Sequence, residues 1–222
     1  HKDAYDAGSG VYKIGYGTPG TKGQTITEAN ADILLRQELA GLATTVEAAM
    51  ATPGLTQKRL DALVWLAYTE GGNTSWAGSI TSLLAKSASA SEFASAICTY
   101  NWSAYVDNNS YRSVLARRMA IANLFIAGTY SASNTGSVGY TLFYAGDGMA
   151  FDASGTKYKI QVFYGGSNQK IEVAAPSVSG YSFLGWYDGN ALVSGVGSAT
   201  SGKTLTARWQ KTGGEDVKAS YT

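Results

Sequence analysis

Near residue 131 the chain changes its hydrophobic period, and one kind of secondary structure cannot serve both sides of that change. From about Thr27 to Tyr130, Ala and Leu recur at helical spacing. Beyond it, Gly, Ser, Tyr and Val alternate with a period of two. The pattern predicts an α+β fold. A mainly helical part with a small N-terminal β-hairpin comes first, then a small β-rich part. A length of 222 residues fits one large or two modest domains, and 45% hydrophobic residues can build a core.

Punctuation along the chain marks the elements. A polar turn, a β-type run and Gly15-Tyr16-Gly17 signal the hairpin. Thr27 is placed to cap a first helix that ends at Pro53-Gly54. A second, unusually apolar helix begins after Thr56 and stops at Gly71-Gly72-Asn73. Short helices are predicted at Ile80–Lys86 and Ser91–Thr99, and a last one from Val114 to Ala127. Residues 131–156 read as a Gly/Ser-rich linker with short strands, such as Tyr140–Tyr144. Lys157–Tyr164 and Lys170–Val173, around Gly165-Gly166-Ser167-Asn168, read as a β-hairpin. Residues 211–222 read as a flexible tail.

Composition narrows the function. A net charge of +1 gives no bulk attraction to nucleic acid or anionic surfaces. Cys98 is the only cysteine, so an intrachain disulfide is impossible, and its apolar neighbours mark it as a buried thiol. His1 is the only histidine, which argues against Ser-His-Asp, Cys-His and His-based metal sites. No cofactor or metal is implied. No run of 18 apolar residues or signal peptide stands out, so export would go by lysis, within a virion or after removal of a leader.

Five motifs in order resemble the phage-type lysozymes, glycoside hydrolase family 24. They are Tyr5 to Gly17; Gly23-Gln-Thr-Ile-Thr-Glu-Ala29; Gln57-Lys-Arg-Leu-Asp61-Ala62-Leu63; Ala67-Tyr68-Thr69-Glu70-Gly71; and Arg117-Arg118 followed by Leu124-Phe125-Ile-Ala-Gly128-Thr-Tyr130. The resemblance covers residues 1–130 and implies a lysozyme-type enzyme. In that family two carboxyl groups flank a glycosidic bond, one protonating the leaving oxygen and the other supporting the sugar centre. The acid Glu of the family, about two helical turns before the hairpin Tyr, would fall ahead of His1. Asp6 is the candidate supporting carboxylate if the loop to Gly10 carries one extra residue. Otherwise that position is Ala7. Asp6 also reads as a turn-forming residue among glycines. The family's water-positioning Thr is here Lys13, either a partner for a carboxylate or a solvated strand lysine. Its His after Gly-Tyr-Gly is Thr18, and its last-helix Glu is Ala120.

Tyr16, Tyr68, Thr69 and Trp102 are the candidate substrate-binding residues, since sugar rings stack on aromatic faces. Trp76 and Tyr105 could line the same cleft or belong to the core. Glu70 reads as either an internal acid or a helix-end glutamate. Asp147 and Asp152 read as turn residues.

Val173-Ala-Ala-Pro176, Gly180-Tyr-Ser-Phe-Leu-Gly-Trp-Tyr187 and Leu205-Thr-Ala-Arg-Trp209 resemble the Listeria–Bacteroides repeat, a β-grasp-like unit, over residues 157–210. That resemblance implies an extracellular spacer or adhesive module with Tyr181, Phe183, Trp186 and Trp209 in its core. The two resemblances imply a peptidoglycan-directed muramidase, an endolysin or virion-associated wall hydrolase cleaving the β-1,4 bond between N-acetylmuramic acid and N-acetylglucosamine. The alternative is an inactive glycan-binding or structural part of a phage tail or bacterial surface protein. Its partners would be peptidoglycan glycan strands and, through the repeat, other virion or surface proteins, with no nucleic acid and no membrane span. Its location would be extracellular, in a virion or at the bacterial cell wall.

Overall fold

The computed structural model describes residues 1–52, 55–106, 111–130, 137–146, 148–165, 169–193 and 202–212. Two compact units divide at residue 81, His1–Thr81 and Ser82–Thr222. The α+β expectation holds, with helices dominating up to residue 127 and a five-stranded sheet beyond it.

In the first unit, β1 (Tyr5–Asp6), β2 (Tyr12–Ile14) and β3 (Thr18–Gly20) form an antiparallel sheet in that order. Helix α1 (Glu28–Met50) follows. The Thr27 hydroxyl accepts the Asn30 N–H at 3.2 Å, and Glu28 favours the positive end of the helix. Helix α2 (Gln57–Thr69) starts the same way, with Thr56 accepting from Arg59, and packs on α1. Its inner face buries Ala62, Leu63, Val64, Leu66 and Ala67. Gly15 ties the hairpin to α1. Its φ is +62°, and a Cβ there would lie 3.1 Å from the Ala31 Cβ, so any side chain is excluded twice. The Pro53-Gly54 break lies outside the described residues.

Helix α3 (Ala77–Ala85) spans the division between the units. In the second unit come α4 (Ala90–Thr99), α5 (Ser103–Val106) and α6 (Tyr111–Ala127). The Ser89 hydroxyl accepts the Glu92 N–H, and Glu92 returns a carboxylate oxygen to the Ser89 N–H at 2.8 Å, a complete capping box. Lys86 adds an ion pair to Glu92 at 2.8 Å. The Lys86 ammonium first, then the Ser89 N–H and hydroxyl, hold the Glu92 carboxyl down at about 2, below its ordinary 4.5. A carboxyl depressed in the fold stabilises it above the unfolded value and loses that contribution as pH falls through the folded one. Glu92→Gln should therefore flatten the decline in Tm between pH 4.5 and about 2, as read by thermal melts across that window.

Helix α6 buries Val114, Leu115 and 118–125, and it packs against two neighbours. One is α4. The other is the sheet formed by β4 (Val138–Tyr144), β5 (Tyr158–Tyr164), β6 (Tyr181–Asp188), β7 (Ala191–Val193) and β8 (Lys203–Lys211), in the order β5-β4-β8-β6-β7. Only β4 and β8 run parallel; the other pairs are antiparallel. Helix α4 lies on β5 and α6 on β4, and the Ser91 hydroxyl accepts the Tyr164 N–H at 3.0 Å. The segment expected as a linker thus supplies β4, a strand hydrogen-bonded on both sides.

The opposite face holds the aromatic core expected for the β-rich part. Phe143, Trp186, Leu205, Ala207 and Trp209 are buried, with Tyr181 and Phe183 packed against them. The Trp209 indole donates to the Ala145 carbonyl at 2.7 Å. The predicted pairing of 157–164 with 170–173 does not form. Strand β5 pairs with β4 instead, and the half-buried Ile171 and Val173 pack into this core. The Gln161 side chain takes over their backbone, donating to the Lys170 carbonyl at 2.8 Å and accepting the Glu172 N–H at 2.9 Å. A side-chain amide here makes the bonds that a partner strand's peptide group would otherwise make. Asp152 accepts the N–H groups of Ser154 and Thr156, as a turn residue should. Asp147, the 166–168 turn and the 213–222 tail lie outside the described residues.

Candidate functional site

Asp6 sits at the exposed end of β1. Three successive residues with positive φ, Gly8, Ser9 and Gly10, turn the chain back. The Asp6 Oδ1 accepts the Gly8 N–H at 2.7 Å, and Ala7 and Val11 close the loop through their backbones. Asp6 is therefore the turn former that its glycine neighbours suggest. The same bond fixes the carboxylate at the tip of the hairpin.

Register decides how Lys13 relates to it. Asp6 lies opposite Tyr12, whereas Lys13 lies opposite Tyr5 and Pro19. Directly opposed residues share a face and neighbours alternate, so the ammonium and the Asp6 carboxylate project from opposite faces of the sheet. Lys13 is placed as a strand lysine, with no carboxylate of β1 on its side.

The β2–β3 turn meets α1 and α2. The Tyr68 hydroxyl donates to the Tyr16 carbonyl at 2.5 Å, and Thr18 donates to the Glu38 Oε2 at 3.3 Å. The Tyr16 ring is half exposed, and the neighbouring Asp32 carboxylate raises its phenol from the ordinary value. Burial, then the charge of Glu38, raises the Tyr68 phenol. Thr69, next along α2, donates its hydroxyl to its own helix at Leu66. The turn thus brings Tyr16 and Tyr68 together by a direct hydrogen bond.

Tyr68 also lines a groove of about 540 Å³ between α1 and α2, with Leu35, Leu39, Leu60, Val64 and Trp65. Gln57 and Asp61, bonded at 2.7 Å, close its polar end. Aromatic walls with a few polar groups suit a ligand that has both apolar and hydroxylated faces.

Trp102 belongs to the second unit. Its ring meets Tyr111 edge-on at 5.9 Å. The loop that carries it is held by Arg118, which is 1% exposed and donates to the carbonyls of Cys98 and Tyr100. The guanidinium also lies over the Tyr105 ring at 5.1 Å. Cys98 is buried, and burial pushes its thiol up to about 12 against the pull of Arg118, which makes it a poor nucleophile. Trp76 is a core residue, 2% exposed, with its indole on the Asn73 carbonyl. Glu70 caps the end of α2. Among the described residues no cluster of three His, Cys, Asp or Glu side chains could hold a metal ion, and no helix is long and apolar enough to cross a membrane.

Asp32 and Glu38 are the residues that sequence reasoning missed. Glu38 carried a usable signal. It falls on the stripe Ala31, Leu35, Glu38, Leu42, Val46, the inner face of α1, where a carboxylate needs a partner.

A family model described as Phage lysozyme matches residues 1–120. Among solved structures, the chain is similar to the muramidase domain of SpmX from Asticaccaulis excentricus. That likeness has 26% identity and a TM-score of 0.47, and it covers 57% of this chain and 86% of that one. It is also similar to an endolysin from Escherichia coli O157:H7 phage FAHEc1. Here the identity is 22% and the TM-score 0.46, with 59% and 86% of the two chains covered. No curated protein matches.

Proposed function

The chain belongs to the phage lysozyme family, and on that premise we propose that it is a peptidoglycan-directed muramidase cleaving the β-1,4 bond between N-acetylmuramic acid and N-acetylglucosamine. The observation that carries this reading is the family match running through the hairpin that holds Asp6 exposed at its tip. Asp6 is the supporting carboxylate, stabilising positive charge on the sugar or activating water. The family's mechanism pairs it with an acid carboxyl that protonates the leaving oxygen. On the first unit, the rings of Tyr16 and Tyr68, with Thr69, receive the glycan. The protein acts at the cell wall, as an endolysin or a virion-associated hydrolase. Residues 1–130 carry this activity, and residues 157–210 form the β-grasp-like repeat that meets other surface or virion proteins.

The purified protein should clear a peptidoglycan gel and release new reducing ends on N-acetylmuramic acid. Clearing without such ends would point to another bond, and neither signal would sink the enzyme.

A second reading, a glycan binder without turnover, is favoured by one observation. Where the family has its last-helix Glu, this chain buries Ala120 completely. Retention on insoluble peptidoglycan with no product would select it.

A further inference from the structure

We infer that Glu38 is a positioning residue, fixing from α1 the Tyr16–Thr18 turn and thereby the pose of the hairpin that carries Asp6. This rests on Asp6 taking part in the chemistry.

Two side chains from two helices converge on that one turn. Tyr68 donates to the Tyr16 carbonyl, and Glu38 accepts from the Thr18 hydroxyl. One anchor comes from α1 and one from α2, so the turn is held from both helices at once. Gly17 between them has a φ of +113°, a turn conformation that glycine adopts freely. Its N–H closes back on the Ile14 carbonyl at 3.1 Å, and Ile14 is fully buried. From Ile14 the strand runs to Tyr12, which pairs with Asp6. A shift at Thr18 therefore passes along β2 to the carboxylate, with only short, paired backbone between them.

Glu38 bonds Thr18 directly, and its carboxylate lies near the Tyr68 phenol that makes the other anchor. Its place on the inner stripe of α1 suits this role, because a carboxylate facing inward is tolerated when bonded. Catalytic groups misplaced by about 1 Å lose rate steeply, whereas overall affinity depends on many contacts.

Glu38→Ala should lower kcat on peptidoglycan about tenfold or more with little change in KM, and should speed amide exchange at Gly17. Glu38→Gln, which keeps an accepting oxygen, should restore most of kcat. Thr18→Val should match Glu38→Ala, and the double variant should lose no more than either. Wild-type kcat together with unchanged exchange at Gly17 in Glu38→Ala would overturn the inference. So would a loss that appears only as a lower Tm shared by Glu38→Gln. If the wild-type protein releases no sugar, the proposed activity fails on its own, and exchange at Gly17 still decides whether Glu38 holds the turn.

Discussion

Asp6→Asn is expected to cut release of reducing sugar from peptidoglycan by at least about a hundredfold while leaving Tm within a degree or two. The substitution separates the turn-forming role of Asp6 from the catalytic role proposed for it. The asparagine Oδ1 can still accept the Gly8 N–H that shapes the turn, so the hairpin should keep its form. What it loses is the negative charge, which an oxocarbenium-like centre or an attacking water requires. Asp6→Ala would remove charge and turn together and would confuse the two. The measurement is reducing-end release by both proteins, paired with their thermal melts. Activity that survives in Asp6→Asn would remove Asp6 from the mechanism and move the search to Asp32 and Glu38.

Ending the chain at Tyr130 is expected to cost the second unit upwards of about 5 kcal/mol and to lower its Tm by roughly 20 °C. The change of hydrophobic period near 131 invites a cut there, yet the packing does not end there. Val138 and Leu142 on β4 and Val162 on β5 are each less than a tenth exposed. They lie on the face away from the aromatic core, toward α4 and α6. Tyr140 lies on the same face, where burial raises its phenol. Each such side chain is worth about 1.5–3 kcal/mol when buried, and the helices would expose the matching surface. Heat denaturation of residues 1–130 beside the full chain tests this. A truncated protein that melts cooperatively within a few degrees of the full chain would show that α6 needs no sheet over it.

What could be read from residues alone was the local part. Thr27 and Thr56 cap helices where they should, because capping depends on a few neighbouring groups. The hairpin read at Tyr5–Gly17 was legible for the same reason, whereas the core roles of Trp186 and Trp209 came through the repeat motif. The failures are non-local. Ile171 and Val173 alternate like strand residues, and alternation is the same whether the backbone pairs with a strand or is held by Gln161. Helix α6 begins at Tyr111, three residues before the apolar pattern suggests. In the site, Asp6 was legible through its glycines, and the turn it forms followed directly. Asp32 and Glu38 were not, because their partners lie 16 and 20 residues away on a different element.

The side-chain amide of Gln161 has a bearing on self-association. An open sheet exposes unpaired peptide groups at its two outer strands, and such rows can template a neighbouring copy into a growing ribbon. On β5, the Gln161 amide holds the 170–172 backbone beside the sheet, while Ser91 occupies the Tyr164 N–H. At the other margin β7 runs for only three residues, too short to seed a long ladder. With β7 this short and the Tyr164 N–H taken by Ser91, the described margins of the sheet offer a second copy little ladder to extend.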